Sequence, residues 1–140
     1  MSYKISGSSI AKQKATLHIK KSNIDFGTVA ADADTLPSPA ELFLSSFAAC
    51  VLKNVERFSS ILKFTYTKAT IEVEAIRHEN PPRMDELNYT LVIHSDDDRL
   101  KPDLLKKNIE KYGTIYNTVK LSCLSSMRFE RSLEHLQKTK

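Results

Sequence analysis

SPAELFLSSFAACVLKNVERFSSIL, residues 38–62, is the stretch on which the fold turns. Ser38-Pro39-Ala40-Glu41 spells a helix start. A serine hydroxyl accepts from orphan amides, proline suits the first helical position, and a glutamate three residues on reaches back to the serine amide. Leu42, Phe43, Leu44, Phe47, Ala48, Ala49, Cys50, Val51 and Leu52 leave little polar surface, so the first half of this helix is expected to be buried all round. From Lys53 onward the apolar pattern narrows to a stripe of Val55, Phe58, Ile61 and Leu62. Such a helix needs cover on most sides early and on one side late, which a small domain supplies better with a partner subunit.

Working outward, the 140-residue chain is expected to form one domain over its whole length. With 41% apolar and 27% charged residues it has the composition of a folded globular protein. Acidic residues interleave with the basic ones almost throughout, which argues against a nucleic-acid surface. No apolar run has membrane-spanning length, and the opening MSYKISG lacks the layout of a secretion signal, so a cytoplasmic protein without membrane partners is expected. In that setting Cys50 and Cys123 are thiols or redox groups rather than a permanent staple.

Ala15, Leu17 and Ile19 alternate with Thr16, His18 and Lys20, which predicts a strand. Lys21-Ser22-Asn23 reads as a turn and residues 24–29 as the returning strand, followed by a polar loop to Pro37. Beyond the helix, residues 65–76 and 87–95 read as strands around a loop holding Pro81-Pro82. On the second of them Leu87, Tyr89, Leu91 and Ile93 share a face, and Asp96-Asp97-Asp98 ends it as a solvated turn. A helix is predicted over 102–111, with Leu104, Leu105, Asn108, Ile109 and Tyr112 inward and Gly113 stopping it in a left-handed cap. Residues 114–120 read as a further short helical turn, and 121–130 as a closing strand that contains Cys123. Strands, long helix, strands, helix and strand make the class α+β.

Cys50 is the first candidate for chemistry, because a thiolate is a strong nucleophile once a cation or donor network holds it. It lies too far from the helix start to feel much of the dipole, and Ser46, Lys53 and Asn54 are its nearest polar neighbours on the helix. Glu41 sits half a turn out of phase with Cys50 and is best read as a capping residue. His18, His78, His94 and His135 show no ligand spacing, so no metal is expected. Only three glycines occur, and no phosphate loop or other cofactor motif is present.

SPAELFLSSFAAC, the Pro81-Pro82-Arg83 loop with its strand, and KYGTIYNTV together resemble the OsmC/Ohr family over about residues 37–129. The resemblance implies an intertwined homodimer in which two long central helices are wrapped by antiparallel sheets. It also implies thiol peroxidase chemistry on organic hydroperoxides, with Cys50 as the cysteine oxidised to a sulfenic acid, a second cysteine resolving it as a disulfide, and a dithiol reductant resetting the pair. The chain departs from the family pattern in three places. Gly113 stands where the family's second cysteine is expected, leaving the displaced Cys123 as the candidate to resolve Cys50. Ala40 stands where the peroxidase branches carry glutamate, with Glu41 one place later. No arginine precedes Arg57, so Arg57 or Arg83 would have to supply the activating cation. Two functions follow: a divergent hydroperoxide reductase built on Cys50, with Glu41 and Cys123 as lesser candidates, or a non-catalytic dimer. The latter would bind a small apolar ligand at an interfacial pocket lined by Phe43, Phe47 and Asn54.

Overall fold

The computed structural model describes residues 1–122 and the backbone of 133–135. The chain forms two compact units, Met1–Phe43 and Leu44–Lys140. In the first, β1 (Ser6–Ser9), β2 (Ala15–Ile19) and β3 (Ser22–Phe26) form an antiparallel sheet in that order. Ile19 pairs with Ser22, so the turn is Lys20-Lys21, with Lys20 at φ 53°, and the returning strand starts earlier than its apolar residues suggest. The polar pairs decide this register. Thr16 Oγ1 donates to Asp25 Oδ1 at 2.9 Å, and Lys14 Nζ stands 2.9 Å from Asp25 Oδ2. The Gly27 amide donates to the Pro37 carbonyl at 3.1 Å, closing the loop that holds a single 3-10 turn, Ala30–Asp32.

The long helix α1 runs over Pro39–Ile61. Its start is the reciprocal cap its spelling announces: the Glu41 amide donates to Ser38 Oγ at 3.2 Å, and the Ser38 amide donates to Glu41 Oε1 at 3.0 Å. The Ser38 amide, and then the Ser38 side chain, hydrogen-bond the carboxylate, favour its ionised form and hold the Glu41 carboxyl below its ordinary pKa.

In the second unit, Phe47, Val51, Val55 and Phe58 form the buried stripe of α1. The expectation of burial all round its first half is corrected. Ser45, Ser46 and Ala49 are exposed, as is Phe43 at 42%. Ile61, placed on the later stripe, is also exposed. Among the described residues, the buried positions of this helix lie on one side. Past Ile61, Lys63 at φ 58° turns the chain back, while the Leu62 amide donates to the Phe58 carbonyl at 2.8 Å and the Phe64 amide to the Ser59 carbonyl at 3.0 Å. The second of these is the six-residue bond of a Schellman ending, with lysine at the position glycine usually takes, whereas the first is an ordinary bond of the last helical turn.

Strand β4 (Lys68–His78) pairs antiparallel with β5 (Arg83–His94), and β6 (Leu133–His135) adds to β5 in parallel. Both β4 and β5 reach further into the loop than the alternation suggests, leaving residues 79–82 as the connection. The pairing slips between Glu74 and Ile76, where β5 carries Glu86 at φ 51°. This bulge keeps Leu87, Tyr89, Leu91 and Ile93 on the buried face. The aspartate run after β5 is more than a solvated turn. The Asp97 side chain is only 9% exposed, accepts from the Thr65 amide at 2.8 Å, and pairs with the Arg99 guanidinium at 3.1 Å.

Helix α2 (Pro102–Tyr112) buries Leu105 and Ile109 but exposes Leu104 and Tyr112, which correspond to one edge of the predicted inner face. Helix α3 (Thr114–Ser122) follows at once. Ile115, Tyr116 and Val119 keep a helical period, so Leu121 and Ser122 are helical rather than the start of a strand. The rest of that expected strand, Cys123 included, lies outside the described residues. Gly113 is not left-handed: its φ is −71° and ψ 118°. It joins the two helices, donating to the Ile109 carbonyl and accepting from the Asn117 amide, each at 2.9 Å. The buried side chains of α1, β5, α2 and α3 form one apolar cluster.

Candidate functional site

Cys50 is a free, half-buried thiol on α1, three residues past the fully buried Phe47. One turn on, Asn54 is 7% exposed, and its amide nitrogen donates to the Cys50 carbonyl at 2.8 Å. The same nitrogen stands 3.6 Å from Cys50 Sγ. A carboxamide has two N–H groups, so one can hold the backbone while the other faces the sulfur. Asn54 thus positions the thiol and offers a donor to whatever the sulfur becomes.

Gly113 forms the other wall. A Cβ placed on it would meet Cys50 Sγ at 3.3 Å, Tyr116 Cβ at 3.1 Å and the Ile109 carbonyl oxygen at 2.9 Å. The missing side chain is therefore a steric requirement: the joint between α2 and α3 presses against the sulfur. No left-handed backbone is involved.

Half-buried Glu110, three residues before Gly113, meets the edge of the core. Phe47 packs its ring against Tyr89 at 5.5 Å and Tyr116 at 6.0 Å between centroids. Both tyrosines hydrogen-bond Glu110, and because a carboxylate only accepts, both phenols donate. Burial raises the Glu110 pKa, opposed by the Tyr89 bond, the Lys120 charge and the Tyr116 bond. Burial, then the neighbouring Glu110 charge, pushes the Tyr116 phenol well up, so it stays a donor.

Glu41 is engaged at the helix start with Ser38. Phe47 belongs to the core and presents no surface to an open pocket, whereas Phe43 is exposed. Asn54 is at the sulfur. Neither candidate arginine is found there: Arg57 lies over the Phe58 ring, and Arg83 donates to the Pro81 carbonyl at 3.4 Å. Cys123 lies outside the described residues. Among the described residues no cluster of His, Cys, Asp and Glu could hold a metal ion, and no helix is long and apolar enough to cross a membrane.

Sequence reasoning does not reach the contact between Gly113 and Cys50, or Glu110. One signal for the latter is available: Tyr89 stands among Leu87, Leu91 and Ile93, and a buried phenol needs a partner.

The family described as OsmC-like protein matches residues 31–125. No curated protein matches the chain in sequence. Among solved structures, an OsmC-like protein from Mycoplasma pneumoniae superposes with a TM-score of 0.80 at 20% identity, covering 98% of this chain and 99% of that one. The organic hydroperoxide resistance protein OhrB of Bacillus subtilis gives 0.63 at 17% identity, covering 96% and 98%. An organic hydroperoxide resistance protein OsmC from Legionella pneumophila gives 0.64 at 13%, covering 94% and 97%.

Proposed function

The chain belongs to the OsmC-like protein family, and from that premise we propose that it is a thiol-dependent hydroperoxide reductase with Cys50 as the sulfur that is oxidised. Relatives of the same fold are named for organic hydroperoxide resistance. The observation that carries the reading is local: a half-buried sulfur with an amide donor on one side and a bare glycine wall on the other.

The step balances simply. The Cys50 thiolate takes the terminal oxygen of the hydroperoxide, so an S–O bond forms and the O–O bond breaks. A proton converts the departing alkoxide to an alcohol, and a sulfenic acid remains on Cys50. Asn54 then has an N–H in place for the new oxygen. Completing the cycle takes a second thiol. The Gly113 wall carries none and has no room for one without displacing the Ile109 carbonyl or Tyr116. The resolving thiol is therefore not part of this wall, and in this reading an external thiol supplies it.

The test is consumption of an organic hydroperoxide with thiol reductant in excess, comparing the wild type with Cys50→Ser. The expected result is turnover by the wild type and background rate for the variant. Equal rates in the two would end the proposal.

A further inference from the structure

Tyr112, the last residue of α2, is overlaid by two cations. The Arg57 guanidinium carbon stands 5.9 Å from its ring centroid, and 5.2 Å from that of Phe58. Lys111 Nζ stands 5.2 Å from the same Tyr112 ring. All three of Arg57, Lys111 and Tyr112 are exposed. Among the described residues, the ion pairs involve other groups, and neither cation has a carboxylate partner. An aromatic face holds a cation in place without neutralising it, so both charges stay available to an anion.

The position of this pair relative to the sulfur follows from two independent elements. Arg57 is seven residues past Cys50 on α1, which is two turns, about 10 Å, on the same face of the helix. Tyr112 directly precedes Gly113, whose Cα faces Cys50 Sγ. The joint after α2 therefore meets α1 at Cys50, while the Tyr112 ring meets it two turns on, at Arg57 and Phe58.

We infer that Arg57, Lys111 and Tyr112 form an anion-binding subsite for the carboxylate end of a short acidic peptide thiol, the co-substrate that resolves oxidised Cys50. A chain of two or three residues spans about 7–10 Å, which matches the separation along the helix. The co-substrate role rests on the hydroperoxide reductase reading; the anion subsite stands apart from it. In the resolving step the peptide thiol attacks the sulfenic sulfur, an S–S bond forms, the S–O bond breaks, and water leaves. A second peptide thiol then attacks the mixed disulfide, giving the peptide disulfide and the Cys50 thiol.

The subsite is tested without peroxide, on Cys123→Ser protein so that Cys50 is the one thiol. Its rate with the dianionic disulfide of thionitrobenzoate is divided by its rate with neutral dithiodipyridine, and the ratio is normalised to a free model thiol. The wild-type ratio is expected to be about ten at low salt and to fall toward one as salt is added. Arg57→Gln and Lys111→Gln each lower it several-fold, while Lys12→Gln, which removes the same charge elsewhere on the chain, leaves it high. A ratio near one, an equal fall in Lys12→Gln, or failure of Cys50 to react with either disulfide overturns the subsite. Sulfenic acid trapped on Cys50 with hydroperoxide reports separately on the reductase reading. If none forms while the charge preference persists, the co-substrate role falls and the anion subsite stands.

Discussion

At the scale of the residue, Gly113 holds its place because of what stands against it, not because of its backbone angles. Its φ of −71° suits any amino acid, yet a Cβ there would lie 2.9 Å from the Ile109 carbonyl oxygen and 3.3 Å from Cys50 Sγ. Gly113→Ala should therefore destabilise the protein in urea unfolding by about 1–2 kcal/mol. Overpacking costs about 1–3 kcal/mol and reduced freedom of the unfolded chain returns about 0.4–1. A neutral or stabilised variant would show that the joint yields easily and that Gly113 does not fix the wall of the site. The sequence pointed to this glycine for the wrong physical reason. A glycine after a helix is usually read as a left-handed cap, whereas a close approach between distant residues leaves no mark on local spelling. Cys50 was legible because few thiols occur; its amide donor Asn54 was legible because four residues make one helical turn.

At the scale of the element, what could be read ahead of the structure depended on how far apart the interacting groups lie. The start of α1 was legible because both halves of its cap fall within Ser38–Glu41, and the structure contains both bonds. Its end was not, because the left-handed residue is Lys63 rather than glycine or asparagine. The same holds at Glu86, where the bulge lets β5 start earlier than its apolar alternation suggests. The apolar pattern places helix α2 within a residue of its true ends but turns Leu104 and Tyr112 inward, whereas both are exposed. Three-residue and four-residue spacings cannot by themselves say which edge of an apolar stripe meets the core. For Lys63 the consequence is measurable. A side chain held in the left-handed region costs about 1–2 kcal/mol, partly offset in glycine by its looser unfolded state. Lys63→Gly should raise stability by about 0.5–1 kcal/mol in chemical denaturation. A loss instead would mean that the Lys63 stem contributes packing that outweighs its backbone strain.

At the scale of the whole molecule, the α+β class and the OsmC-like fold were legible from the order of elements and from the run ending at Cys50. The parallel pairing of β6 with β5 was not, since sheet order depends on contacts far apart in sequence. The apolar first half of α1 remains the clearest argument for a partner. Phe43 is 42% exposed and Ala49 is exposed, although the spelling of this segment is that of a helix covered on most sides. We propose a homodimer as that cover. Light scattering should give twice the mass of one chain, and Phe43→Lys should shift the protein toward the monomer. A wild-type protein that stays monomeric at high concentration would contradict this.

The central claim is that Cys50 is oxidised by an organic hydroperoxide, and one measurement bears on it most directly. One equivalent of cumene hydroperoxide is added to reduced protein in the presence of a sulfenic-acid trap, and the peptides are read by mass spectrometry. The account predicts the trapped adduct on Cys50, formed in step with loss of the hydroperoxide. An unmodified Cys50 after the hydroperoxide has been consumed, or no consumption at all, would contradict it.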